Sequence, residues 1–116
     1  MPLPIEKLKQ LIALDPADPA LFLALGHAYV EVSRFADAVD ALERAVALHP
    51  QYTAAYWPLG KALEAANRVD DAMGVYERGL AVGAHTHDAI PIQKMQARLN
   101  RLRKQRTPPQ SDADPS

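Results

Sequence analysis

Apolar residues recur with helical spacing along most of this chain, and small residues stand among them at regular places. Phe22, Leu25, Gly26 and Tyr29 fall at i, i+3, i+4 and i+7, one face of a 3.6-residue period. A break follows at Ser33-Arg34. Ala38, Leu42 and Ala45 then mark a second apolar stripe, which ends at Leu48-His49-Pro50. Pro50 cannot continue a helix and pushes His49 out of the α region. The same design follows with Tyr56, Leu59, Gly60 and Leu63, and then with Ala72, Tyr76 and Gly79. The pattern predicts helix pairs and no strands.

The two designs are one design repeated. Sliding the sequence by 34 residues brings residues 19–52 onto 53–86 with ten identities, among them Leu25-Gly26 with Leu59-Gly60 and Asp37-Ala38 with Asp71-Ala72. Ordinary residue frequencies would give roughly three. Phe22 with Tyr56, Val46 with Leu80 and Leu48 with Val82 are conservative matches in the same register. A glycine inside a helix costs about 1 kcal/mol relative to alanine. Gly26 and Gly60 at equivalent positions therefore indicate close helix approach, with Ala38 and Ala72 expected on the facing helix and larger residues filling either side.

These residues resemble the tetratricopeptide repeat (TPR) family. Its pattern is an aromatic, Leu-Gly and Tyr on a first helix, then alanine, a large residue and alanine on a second, closed by proline. The first unit supplies Phe22, Leu25-Gly26, Tyr29, Ala38, Leu42, Ala45 and Pro50. The second supplies Tyr56, Leu59-Gly60, Leu63, Ala72, Tyr76 and Gly79, with Ala84 where proline is expected. The resemblance implies an all-α fold, in which antiparallel helix pairs stack as a short right-handed solenoid of about six helices.

It covers residues 3–104. Residues 3–16 read as a half repeat, because Leu8 aligns with Leu42 and Ala13-Leu14-Asp15-Pro16 with Ala47-Leu48-His49-Pro50. Residues 19–52 and 53–86 are the two full repeats. Residues 87–105 read as a capping helix, on which Met95, Leu99 and Leu102 form one stripe. Residues 107–116 lack the apolar content to order themselves and are expected to be a disordered tail.

Composition narrows the function. The 116 residues include 21 alanines, and 6% are aromatic, which favours helices over a sandwich. There is no cysteine, so a disulfide framework, a thiolate metal site and a cysteine nucleophile are excluded. No apolar stretch reaches the length of a membrane span, and the first residues lack the pattern of a signal peptide, so a cytoplasmic protein is expected.

His85-Thr86-His87-Asp88 is the single histidine cluster. Its spacing does not suit one helical face, so it reads as a polar turn with Thr86 or Asp88 as a cap, and no metal or other cofactor is expected. His27 has no nucleophile partner, and no phosphate loop or paired-carboxylate motif occurs, so no enzyme is expected.

Charge is segregated along the chain. Net charge is −1 overall, yet Lys94, Arg98, Arg101, Arg103, Lys104 and Arg106 follow one another with no acid between them. This basic surface is either a solvated helix end or a dock for an acidic or nucleic-acid surface. The lack of aromatics around it argues against single-stranded nucleic acid.

The resemblance also implies a concave groove lined by the second, fifth, ninth and twelfth residues of each first helix. Here these are Ala20, Leu23, His27 and Val30, then Ala54, Trp57, Lys61 and Glu64, and finally Asp88, Pro91, Met95 and Arg98. Trp57 lies one residue beyond the core aromatic Tyr56, about 100° around the helix, and is expected to face the groove as a binding anchor. The lysine and asparagine clamp with which some TPR domains hold a partner's terminal carboxylate is absent, because Leu23, His27 and Pro58 stand at its positions.

The function expected is a non-catalytic protein-interaction module. It would hold a peptide or helix of a partner through Leu23, His27, Val30, Trp57, Lys61, Glu64, Met95 and Arg98. Alternatives are a self-associating structural subunit or an accessory factor docking through the basic helix. The apolar surplus of Ile5, Leu8, Leu11, Ile12 and Leu14 predicts a weak homodimer through residues 3–14. Pro58 inside a helix predicts a kink or a shortened start, and Pro91 raises the same question.

Overall fold

A computed structural model describes residues 4–86 and 89–106. The tail at 107–116, His87 and Asp88 lie outside the described residues, as do the side chains of Ala89, Ile90 and Arg106. Among the described residues six helices run in order: α1 (Ile5–Leu14), α2 (Pro19–Glu31), α3 (Phe35–Leu48), α4 (Thr53–Ala65), α5 (Val69–Thr86) and α6 (Ala89–Arg106). There is no strand among the described residues. Each helix packs on the next, and α4 also touches α2 and α6. The even-numbered helices therefore stand side by side as one wall, which makes the molecule an all-α helical-repeat solenoid.

Local chemistry sets the helix ends. Asp18 caps α2 by accepting from the Ala20 N–H at 2.9 Å, with Pro19 in the first turn. The breaks after α2 and α4 are the same turn. Ser33 and Asn67 adopt left-handed φ values of 60° and 63°. Arg34 N–H then reaches back to the Tyr29 carbonyl at 2.9 Å, and Arg68 N–H to the Leu63 carbonyl at 2.8 Å. This satisfies carbonyls that a helix end would otherwise leave open. In each turn the arginine also pairs with the aspartate three residues on, Arg34 with Asp37 and Arg68 with Asp71.

Proline explains the unequal helix lengths. Pro50 closes the first unit, and α3 stops at Leu48. Ala84 imposes no such stop, and α5 continues to Thr86, whose hydroxyl donates to the Gly83 carbonyl. Thr53 opens α4 as its first helical residue, with Tyr52 in the capping position. The helix accommodates Pro58 and still runs its full length, so the shortened start does not occur. Pro91 falls in the first turn of α6, where a missing N–H leaves no helical bond unmade.

The core is built by large residues entering the space that glycines leave. A Cβ on Gly26 would sit 2.5 Å from Leu42 Cγ, and one on Gly60 would overlap the Tyr76 ring. The glycines thus face Leu42 and Tyr76, one turn beyond Ala38 and Ala72, which are themselves fully buried. On α1 only Leu8 is buried, while Ile5 and Ile12 pack partly against the core. Leu14 at its end is 83% exposed.

Two alanine substitutions should move stability in opposite directions. Gly74 has nothing within 4 Å of a would-be Cβ, so Gly74→Ala should stabilise by about 0.5–1 kcal/mol through backbone entropy. Gly60→Ala should cost about 1–3 kcal/mol, because the Tyr76 ring has to shift. Urea unfolding followed by circular dichroism measures both.

Candidate interaction groove

The wall formed by α2 and α4 carries an open hollow of about 450 Å³. His27, Val30 and Phe35 line one side, and Ala54, Trp57, Pro58, Lys61, Ala62 and Ala65 the other. Five of these follow directly from helical spacing, since Ala54, Trp57, Pro58, Lys61 and Ala65 recur at three- and four-residue steps along one face of α4. Most of the lining is apolar, and His27 and Lys61 are its polar side chains. Such a surface suits an apolar group with a polar neighbour.

Trp57 is half-buried. Its ring packs at 33° against Tyr76, with centroids 5.7 Å apart. It therefore lines the hollow while closing the space above the core. Two ammonium groups approach the same ring, Lys61 Nζ at 5.4 Å from the centroid and Lys94 Nζ at 5.9 Å.

Beside the hollow lies a polar junction of three helices. Arg98 of α6 donates from Nε to the two Glu64 oxygens at 2.9 and 3.0 Å and again through its terminal nitrogen. Tyr76 of α5 donates its hydroxyl to Glu64 Oε2 at 2.6 Å. The Glu64 side chain is 11% exposed and that of Arg98 28%. Burial raises the carboxyl's pKa, but the hydrogen bonds from Arg98 and Tyr76 and the charges of Arg98 and Lys61 outweigh it. Glu64 is accordingly held below its ordinary value. Burial and the neighbouring carboxylate push the Tyr76 hydroxyl well up, so it stays a donor.

The residues expected in the groove do not all come together. His27, Val30, Trp57 and Lys61 come together around the hollow. Glu64 and Arg98 meet each other at its edge, and Leu23 lies outside the lining, half-buried against the core. Met95 is a correction. It is fully buried, and a Cβ on Gly79 would lie 2.5 Å from its sulfur, so it belongs to the core with Leu99 and Leu102. The side chain that α6 brings to the Trp57 ring is Lys94. Phe35 was not anticipated, although an aromatic directly after the break at Ser33-Arg34, outside the core register, was the available signal.

The basic surface is thinner than its sequence. Arg98 is engaged by Glu64, and Arg103 donates to Glu77 at 3.1 Å. Lys94, Arg101 and Lys104 are exposed. No group of three histidine, cysteine or acidic side chains placed to hold a metal occurs among the described residues. No helix among them is long and apolar enough to cross a membrane.

The lowered Glu64 pKa fixes the sign of a pH effect. A carboxyl whose folded pKa lies below its unfolded value adds stability above the unfolded value, about 4.5. That stability is lost as pH falls through the folded value. Glu64→Gln should be about 1–3 kcal/mol less stable than wild type near neutrality, with the gap closing as pH falls below the unfolded value and through the lower folded one. Urea titrations of both proteins across that range give the comparison.

Comparisons with known proteins agree with this architecture. The tetratricopeptide repeat model matches residues 23–88, more than half of the chain. The first TPR of Spaghetti (RPAP3), solved with the HSP90 peptide SRMEEVD, is 28% identical, with a TM-score of 0.73. That alignment covers 84% of this chain and 73% of the other. BPP2914 from Bordetella parapertussis is 29% identical, with a TM-score of 0.73 over 88% and 89% of the two chains. The TPR2B domain of yeast Sti1, from its pHsp70 complex, superimposes at a TM-score of 0.80 with 15% identity over 87% and 81%, a likeness of fold. Among curated proteins none matches. With its 34-residue period, paired helices and glycine-centred contacts, the chain belongs to the tetratricopeptide repeat family.

Proposed function

We propose that this protein is a non-catalytic interaction module that binds a peptide or helix of a partner protein along the wall of α2, α4 and α6. The observation that carries the reading is the apolar hollow at Trp57. Core packing alone does not require a tryptophan there, since Tyr56 already fills the core position and Trp57 remains half-buried over a 450 Å³ space. A large aromatic bordering an open apolar hollow is the usual form of a binding anchor. The HSP90 peptide complex of the 28%-identical Spaghetti domain supports peptide binding as the use of this architecture. A chaperone tail held by a terminal-carboxylate clamp is not part of the reading, because Leu23, His27 and Pro58 replace the clamp residues. The reading includes a cytoplasmic location, with which the absence of cysteine agrees.

Docking of a nucleic-acid or other acidic surface on α6 alone is the weaker reading, since Arg98 and Arg103 already hold carboxylates of the chain itself. Self-association is a second reading with its own observation. Leu14 is 83% exposed at the end of α1, one turn beyond the half-buried Leu11, and Ile12 of the same helix is also only half-buried.

Trp57→Ala should weaken partner binding by about 2 kcal/mol or more while helicity stays nearly unchanged. Affinity capture from the native cell, wild type beside variant, followed by calorimetry on the captured partner, checks this. An unfolded variant would make Trp57 a core residue and end the argument. For self-association, sedimentation across concentrations should show a weak dimer that Leu14→Glu and Ile12→Glu shift to monomer. A strictly monomeric protein, unaltered by either change, would dismiss the dimer.

A further inference from the structure

The groove's charge is not balanced around Trp57. Lys61 and Lys94 both stand within 6 Å of the ring, and neither forms an ion pair with a described carboxylate. Glu64, whose charge Lys61 feels, is occupied by Arg98 and Tyr76. An apolar hollow thus adjoins two cations that no described carboxylate holds in an ion pair, although the Glu64 charge reaches Lys61.

Pro58 adds an acceptor to the same place. It has no N–H, so the Ala54 carbonyl one turn earlier lacks its helical donor. Both residues line the hollow. A carbonyl without its donor favours an incoming N–H and disfavours an incoming carboxylate. A chain terminus seated beside it would bring negative charge to an acceptor. An extended segment running through the groove would bring backbone N–H groups.

We propose that the groove takes an internal segment of a partner protein in which an apolar side chain enters the hollow and an adjacent aspartate or glutamate is held by Lys61 and Lys94. This rests on the reading of the groove as a peptide site and specifies its ligand. The apolar anchor contributes most of the affinity, through desolvation against Trp57, Phe35, Val30 and Pro58. The two ammonium groups act chiefly on selectivity and association rate, because they are exposed and screened by salt. A basic segment is rejected by like charge.

The test uses the full chain and a display library of random peptides about twelve residues long, fused at their C-termini so that no terminal carboxylate is free. Wild type should enrich sequences with an aromatic or aliphatic residue next to an acid. The double variant Lys61→Gln/Lys94→Gln changes two exposed side chains, and circular dichroism checks its fold. It should keep the apolar preference and lose the acidic one. A synthetic blocked peptide from the enriched set, followed by fluorescence of Trp57, the single tryptophan, should bind about fivefold more weakly when its acid becomes asparagine. That difference should shrink as salt rises. Apolar enrichment without acids in wild type overturns this proposal and leaves the peptide-binding reading standing. No enrichment by wild type in this library or in a matching one with free C-termini overturns both. Binders found only in a matching library with free C-termini would assign the carboxylate to a chain end and overturn the internal segment.

Discussion

Two helices come this close only where one of them gives up its side chain, and the whole stack depends on that condition. Gly26 admits Leu42, and Gly60 admits Tyr76. The same trade recurs where α6 joins, with Gly79 under Met95 and Gly83 under Ile92. Each contact joins one helix to the next, so the positions of all later helices inherit the closeness of the earlier contact. The wall formed by α2, α4 and α6 is a consequence. Its grooves are the surface left over when the opposite faces have been brought together by small-to-large pairs.

The Tyr76 ring links this packing to the groove. The ring fills the space over Gly60 and packs against Trp57, and its hydroxyl reaches Glu64. A buried carboxylate with one partner would be an expense, whereas Glu64 has the Arg98 fork and the Tyr76 hydroxyl, which together hold it ionised. The junction also anchors α6 to α4, which contact each other less extensively than either contacts α5. Lys94 reaches the Trp57 ring from a helix whose placement Glu64 and Arg98 hold.

Much of this was legible because the sequence states it twice. The 34-residue period gives the helix pairs, the breaks at Ser33 and Asn67 and the glycine contacts. Where only one copy exists, legibility fails in definite ways. Carrying the groove register onto α6 put Met95 beside Lys61. The stripe of Met95, Leu99 and Leu102 on the same helix implied the opposite, and the stripe prevails. The structure shows why: this helix has one strongly apolar side, and burying it outweighs keeping the register of α4. Glu64 and Arg98 are one period apart, in equivalent places on neighbouring helices, so their meeting could have been read from the period itself. Their opposite charges were the unused signal. The hydroxyl of Tyr76 could not be anticipated, because Leu42 fills the same place in the first unit.

Pro58 shows how packing and recognition share one helix. In an α-helix interior a proline removes a hydrogen bond and crowds the preceding turn, a cost of about 3 kcal/mol if nothing relieves it. On the core side of α4 that cost would add to any misfit against α5. Pro58 instead lines the open hollow, one residue after Trp57, and the helix continues past it to Ala65. The freed Ala54 carbonyl lies on the face where solvent or a ligand can satisfy it. The local defect is thereby kept away from Leu59, Gly60 and Leu63, which are buried and hold the stack together. One turn of helix can thus be poorly bonded on its outer side and tightly packed on its inner side, and the binding face can vary without disturbing the contacts that build the repeat.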